Sequence, residues 1–201
     1  MSLDTERPWI LVLCGWPLSG KTSTAALLQR QLGVHVADVD RIAQAALGPP
    51  EADWRTSEAG RRRNLNRMAM AYDMLHHAVR VHLEVAEPPR SLLVVSTYSR
   101  ASSWRHLQAV LAPHPEVRLE VAWLAPVGDS PAAEQRLLAQ RSRDYLGACT
   151  SAEEYFDVKR RFEPPTVPHL RIDSWFRNSP EACADRIADY LRGNRPRAEG
   201  G

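Results

Sequence analysis

The chain has 201 residues, 44% of them hydrophobic and 25% charged, which suits one full domain and is too apolar for general disorder. Its 26 basic and 24 acidic residues nearly cancel to a formal charge of +2, so no bulk basic bias demands a nucleic-acid partner, although a local basic site stays open. Three widely spaced cysteines, Cys14, Cys149 and Cys183, form neither a disulfide framework nor a Cys-x-x-Cys metal spacing.

Residues Trp9–Cys14 make a continuous apolar run, the pattern of a strand buried on both faces. It is the longest such run and far too short to cross a bilayer. No signal-like stretch precedes it, so a cytoplasmic protein without membrane contact is expected. A Gly/Pro/Ser loop follows, and Thr22–Leu32 suits an amphipathic helix through Ala25, Ala26, Leu28 and Leu32. Val34–Val39 is a second strand, and residues 48–60 read as a loop. Arg61–Glu87 predicts a long helix, its stripe built from Leu65, Met68, Tyr72, Leu75, Val79 and Leu83 and ended by Pro88-Pro89. Ser91–Val95 is a third strand, Ser102–Leu111 a helix and Val117–Leu124 a fourth strand. Pro131–Tyr145 and Ala152–Phe162 are two further helices. His169–Ile172 is a short last strand and Pro180–Leu191 a closing helix with Pro at its start. Residues 1–193 are expected to form one domain and 194–201 a disordered tail.

Strands alternating with helices imply right-handed crossovers, hence an α/β fold with a parallel, roughly five-stranded sheet and helices on both faces. A ligand then sits beyond the carboxyl ends of the strands. Gly15 and Asp38–Asp40 fall at such ends.

Residues 15–22 read Gly-Trp-Pro-Leu-Ser-Gly-Lys-Thr, a complete phosphate-loop pattern of Gly, four residues, Gly, Lys and Ser or Thr. Gly15, Pro17, Leu18, Ser19, Gly20 and the start of the helix at Lys21, Thr22 and Ser23 are the expected triphosphate contacts. The loop aims backbone N–H groups inward and the helix adds its positive end. Lys21 is expected to reach the β- and γ-phosphates and Thr22 to hold Mg²⁺, with ATP as the nucleotide. Of all 26 basic residues only Lys21 and Lys159 are Lys, so the chain keeps Lys where the loop requires it. The Asn-Lys-x-Asp base-reading motif of GTPases is absent.

Asp38-Val39-Asp40-Arg41 closes the second strand. A carboxylate there, Asp38 or Asp40, can take the proton of an attacking hydroxyl. The alternative is that one of them caps the next helix. The loop with Pro17, followed by Asp38-x-Asp40-Arg41, resembles the small P-loop kinases. This branch includes adenylylsulfate kinase, chloramphenicol phosphotransferase and the polynucleotide-kinase-like, AAA-type ATP-binding proteins. The resemblance covers most of residues 9–192, and its specific part is the phosphate loop. It implies a three-layer P-loop NTPase fold with a helical lid over about 131–163, and an acid at this strand tip that binds the acceptor or acts as base. Two departures stand out. Members often carry a carboxylate near the end of the third strand, where this chain reads Val95-Ser96-Thr97-Tyr98-Ser99-Arg100; Asp38 is then the candidate metal ligand beside Thr22. Sulfate-kinase-like members also tend to have Arg where Ala43 stands, which counts against an adenylylsulfate acceptor.

The resemblance places arginines over the phosphates, and Arg136, Arg141 and Arg143 are the candidates. Arg136 and Arg143, seven apart, share a helical face. The basic run Lys159-Arg160-Arg161 and the triplet Arg61-Arg62-Arg63 are lesser candidates for an anionic acceptor, and Trp16 and Trp54 for ring stacking. The expectation is an ATP-dependent phosphotransferase acting on a hydroxyl of a small-molecule or nucleotide acceptor, as a monomer or homodimer. Two alternatives stand beside it: a nucleotide-binding regulatory module with little transfer, and a polynucleotide 5′-hydroxyl kinase, which the near-neutral charge disfavours.

Overall fold

The structure is a computed structural model, and it describes residues 7–54, 56–85, 90–126, 132, 134–135, 152–174 and 178–193. Five strands, β1 (Trp9–Gly15), β2 (His35–Asp38), β3 (Leu92–Val95), β4 (Arg118–Pro126) and β5 (Leu170–Ser174), form one sheet in the order β2-β3-β1-β4-β5. Every pairing is parallel. The helices are α1 (Lys21–Leu32), α2 (Val39–Leu47), α3 (Glu58–Val85), α4 (Ala101–Leu111), α5 (Ala152–Arg161) and α6 (Pro180–Leu191).

The period-2 geometry of a strand divides β1 between two cores. Ile10, Val12 and Cys14 pack with Val39 and Ala43 of α2, Leu75 and Val79 of α3, and Trp104 and Leu107 of α4. Trp9, Leu11 and Leu13 face the other way onto Ala25 and Leu28 of α1 and Ala184 and Ile187 of α6. All seven residues of β1 are buried, which is why the run is apolar without alternation. The result is the expected three layers. Helix α6 begins where the sequence places it, with Pro180 in its first turn and the Ser179 hydroxyl accepting from the Ala182 N–H at 3.3 Å, a cap that contributes about 1 kcal/mol.

Helix α3 departs from expectation at its start. It begins at Glu58, three residues early, because the Ser57 hydroxyl accepts from the Gly60 N–H at 2.8 Å and donates to Asp53 at 2.7 Å. Leu65, assigned to the core stripe, is 60% exposed. Further along α3, Ala71, Leu75, Val79 and Leu83 carry the core contact. The helix expected at Pro131–Tyr145 lies mostly outside the described residues, as do Pro88-Pro89 and the tail. No helix among the described residues is long and apolar enough to cross a membrane.

Candidate active site

The carboxyl ends of β1, β2 and β3 lie side by side and bring the phosphate loop, Asp38 and Ser96 to one edge of the sheet. Gly15 has φ +147°, and a Cβ there would stand 2.3 Å from the Leu124 carbonyl and 2.9 Å from the Ser19 hydroxyl, so only glycine fits. Leu18 is held at φ +65°, uncommon for a branched side chain. Gly20, at φ +84°, opens α1 with no side-chain cap, which leaves the uncapped helix start facing the loop. The Lys21 ammonium curls back over the loop and donates to the carbonyls of Gly15 (3.0 Å) and Trp16 (2.7 Å) and to the Ser19 hydroxyl (3.5 Å). Ser19 is buried, Pro17 half-buried, and Thr22 and Ser23 are exposed. The loop therefore has the shape of a phosphate cradle, with its lysine held by the loop's own carbonyls.

At the tip of β2, Asp38 and Asp40 divide two tasks. Asp38 is 7% exposed and caps α2, its Oδ1 accepting from the N–H of Asp40 (2.9 Å) and of Arg41 (3.3 Å). Asp40, in the first turn of α2, meets solvent. Although the residue is exposed overall, the protein around its carboxyl displaces part of its water, which raises its pKa above the ordinary 3.8, and the neighbouring Asp38 carboxylate pushes the same way. Lys21 and Arg67 pull it back. The arrangement thus brings Asp40 into the field of the phosphate-loop lysine. Arg67 escaped the sequence reading: it lies half-buried on α3, and its guanidinium donates to the Gly48 carbonyl. Nothing local marks it, because its place depends on α3 packing against the end of α2.

Ser96, just past β3, is 2% exposed and donates to the Tyr72 hydroxyl at 2.6 Å, which also accepts from the Tyr98 N–H at 3.2 Å. Tyr98, at φ +45°, shares a 3.0 Å hydrogen bond between its hydroxyl and His76 Nε2. Burial pushes the His76 pKa down to about 4, with His106 adding to the fall, so the ring is neutral at physiological pH. Where the resemblance leads one to expect an acid, the strand ends in an uncharged hydroxyl network. The sequence showed the missing acid but not its replacement by Tyr72, which looked like a core residue.

The lesser candidates resolve differently. Trp16 does not stand free for stacking: its ring packs edge-on against Trp123 (6.0 Å) and Phe162 (5.5 Å). Lys159 donates to both oxygens of buried Glu134, at 2.7 and 2.8 Å, and lies 5.2 Å from the centre of the Trp16 ring. Arg160 and Arg161 pair with Asp157. Arg63 binds Glu51 (2.7 Å) and Asp53 (2.8 Å), and Arg62 reaches Glu58; Arg61 is exposed. Beside Arg63 and Arg67, a cavity of about 290 Å³ is lined by Leu47, Pro50, Glu51, Asn64 and Met70. Arg136, Arg141 and Arg143 lie outside the described residues. Among the described residues no cluster of three or more His, Cys, Asp or Glu side chains is placed to hold a metal. The oxygens near the loop, the exposed Thr22 hydroxyl and the two carboxylates, are of the hard type that suits Mg²⁺, which binds through one or two protein oxygens and the nucleotide's phosphates.

No protein-family model matches the chain, and no curated protein matches it. Solved structures do. A presumptive kinase of Chloroflexus aurantiacus j-10-fl is 18% identical with a TM-score of 0.66, over 91% of this chain and 98% of that one. The APS kinase of Mycobacterium tuberculosis, determined with AMPPNP and APS, is 22% identical with a TM-score of 0.57, over 92% and 98%. The shikimate kinase of Acinetobacter baumannii, determined with shikimate, is 16% identical with a TM-score of 0.56, over 94% and 95%. At these identities the likeness is one of fold: the chain has the three-layer fold of P-loop kinases.

Proposed function

We propose that the protein is an ATP-dependent phosphotransferase that moves the γ-phosphate to a hydroxyl of a small-molecule acceptor, with residues 1–193 forming one domain and about 131–163 its lid. The observation that carries this reading is the pairing of the phosphate loop, on β1, with Asp40, on α2, whose carboxylate lies in the field of Lys21. The amides of residues 15–23 and the Lys21 ammonium hold the triphosphate. Lys21 leaves the Gly15 and Trp16 carbonyls for the β- and γ-oxygens, exchanging neutral acceptors for charged ones. Asp40 accepts the proton of the attacking hydroxyl, its raised pKa making it a stronger base than an ordinary carboxylate. Arg136, Arg141 and Arg143 neutralise charge on the transferring group. Thr22 and Asp38 are the residues that would hold Mg²⁺, which supplies charge neutralisation at the phosphates. Asp38 has its second oxygen for that task, since Oδ1 is committed to the α2 cap.

The acceptor side supports a small, largely uncharged acceptor. The cavity beside Arg67 is at the low end of ligand-pocket size, and Glu51 with Asp53 already matches the charge of Arg63. One observation favours the second reading, a nucleotide-binding module with little transfer: Ser96 ends β3 without a charge and is held by Tyr72. A single assay separates the two. The protein is incubated with ATP, Mg²⁺ and a pooled set of metabolites, nucleosides and antibiotics, and mass spectrometry looks for a phosphoryl gain on one component. A gain that disappears in Lys21→Ala supports the transferase. Tight nucleotide binding with no gain supports the module, and a Lys21→Ala protein as active as the parent sinks both.

A further inference from the structure

The two lysines of this arginine-rich chain converge on one residue. Lys21 donates to the Trp16 carbonyl at 2.7 Å, and the Lys159 ammonium lies 5.2 Å from the centre of the Trp16 ring. Lys159 is fixed there by both oxygens of Glu134, a carboxylate only 4% exposed and 25 residues away in sequence. Trp16 is the second residue of the phosphate loop, and its carbonyl also accepts from the Ser19 N–H at 3.2 Å, so its backbone forms part of the loop wall. Trp123 and Phe162 stack at 5.8 Å with an interplanar angle of 13°, and the Trp16 ring packs edge-on against both.

A buried ion pair is weak evidence of stability, because a well-packed apolar pair commonly serves as well. What it adds is geometry: an ammonium can serve a carboxylate and a ring face together. A guanidinium has a planar fork and another reach, so Arg is not an equivalent substitute. The chain uses Arg at every other basic position except Lys21, which sets this site apart from ordinary surface charge.

We propose that the Glu134–Lys159 pair is a positioning element for the phosphate loop. It seats the Trp16 indole and thereby the carbonyl that holds Lys21 before nucleotide arrives, coupling nucleotide occupancy to the Glu134–Lys159 pair. The proposal rests on the nucleotide-binding reading of the loop. When Lys21 transfers its hydrogen bonds to phosphate, the Trp16 carbonyl loses a charged donor, and the change passes through the indole to Lys159 and Glu134. By reciprocity, disrupting the pair weakens nucleotide binding by the factor that nucleotide binding tightens the pair.

The test uses the full chain and the variants Lys159→Met, Glu134→Gln, Lys159→Arg and the double variant Glu134→Gln/Lys159→Met. Dissociation constants for ATP with Mg²⁺ are measured by calorimetry, and tryptophan emission is followed during the titration, with Trp16→Phe assigning the Trp16 part. Expected are a Trp16 emission change in the parent, its loss in Lys159→Met and Glu134→Gln, and affinity about tenfold weaker in each. The double variant should be no weaker than Lys159→Met alone, because the two residues act as one unit. If Glu134→Gln or Lys159→Met fails to fold, Lys159→Arg decides: it keeps the charge and loses the ring geometry, so it should retain less than half of the emission change. Folded variants that bind ATP with the parental constant and full emission change overturn the positioning role and leave the phosphate loop intact. A folded parent that binds no ATP overturns both.

Discussion

Replacing Asp38 and Asp40 one at a time separates a structural carboxylate from a reacting one. Asp38 is nearly buried and accepts two α2 amides. Asp38→Ala removes an N-cap worth about 1 kcal/mol, within a range of roughly 0.5–2. In a chain of this size that lowers the melting temperature by about 1–8 °C, at roughly 2–4 °C per kcal/mol. Asp38→Asn keeps an oxygen for the same amides and should melt with the parent, while needing more Mg²⁺ for full rate. Asp40 accepts no hydrogen bond among the described residues, and Asp38 opposes its charge. Asp40→Asn should therefore melt no lower than the parent yet lose about 10²–10⁴-fold in kcat, the usual worth of a positioned base.

The pH dependence gives the sign. Asp40 has a raised pKa, so the fold favours its protonated form. The stability this contributes is complete below 3.8 and lost as pH rises through the folded value. Asp40→Asn should accordingly gain stability relative to the parent at neutral pH and none in strong acid. Catalysis runs the other way, because the base must be ionised. The acid limb of kcat/KM in the parent should lie above 3.8 and vanish in Asp40→Asn. The assays are calorimetric melting and a steady-state profile against pH and Mg²⁺ with the acceptor found by mass spectrometry. An Asp40→Asn protein within threefold of parental kcat refutes the assignment. So does one restored to parental rate by added Mg²⁺, which would make Asp40 a metal ligand.

Further outcomes follow from the same geometry. Lys21→Arg should fold normally yet lose most nucleotide affinity by calorimetry, because the loop holds a compact ammonium between the Gly15 and Trp16 carbonyls. Gly15→Ala forces a Cβ to 2.3 Å from the Leu124 carbonyl, and with backbone strain this should cost about 2–5 kcal/mol and abolish nucleotide binding, read by melting and calorimetry. Tyr72→Phe leaves Ser96 and the Tyr98 N–H without their acceptor, a loss of about 1–3 kcal/mol visible in urea unfolding. Arg67→Ala should raise the KM for the acceptor and leave the ATP dissociation constant within about twofold, because its side chain lines the cavity rather than the loop.

The fold was legible because its signals are local. A two-faced apolar run, a phosphate-loop motif and a proline-capped closing helix each declare themselves within a few residues, and β1, the loop and α6 are found where the sequence puts them. The miss at the start of α3 had a local signal that three arginines obscured: Ser57 is an ordinary N-cap, and its hydroxyl meets the Gly60 N–H. Leu65 fits the helical period yet remains exposed, because periodicity says which side of a helix a residue takes and not whether the core extends that far. The site divides in the same way. Lys21 and Thr22 came from the spacing of the phosphate loop, and the two aspartates from their place at the end of the second apolar run. Arg67, Tyr72 and the Glu134–Lys159 pair join elements far apart in the chain, and no pattern within one element encodes them.

Charge balance ties these parts together. Of the cations a reader of the sequence would offer to an anionic acceptor, Arg62, Arg63, Lys159, Arg160 and Arg161 are each met by a carboxylate, and Arg61 is exposed. A strand of nucleic acid binds by having its phosphates neutralised by unmatched Lys and Arg, and this surface has already neutralised much of its own charge. That argues against a polynucleotide acceptor more directly than the bulk charge of +2 does. The same inventory bears on the triphosphate. Near the loop, Lys21 and Arg67 stand against Asp38 and Asp40, and the end of β3 contributes hydroxyls in place of an acid. With no third carboxylate to hold a cation at β3, the proposed transfer would need the charge that develops to be met from elsewhere. Arg136, Arg141 and Arg143 follow Glu134 directly in the chain. On the proposed reading, a site lacking one acid would depend more heavily on those arginines.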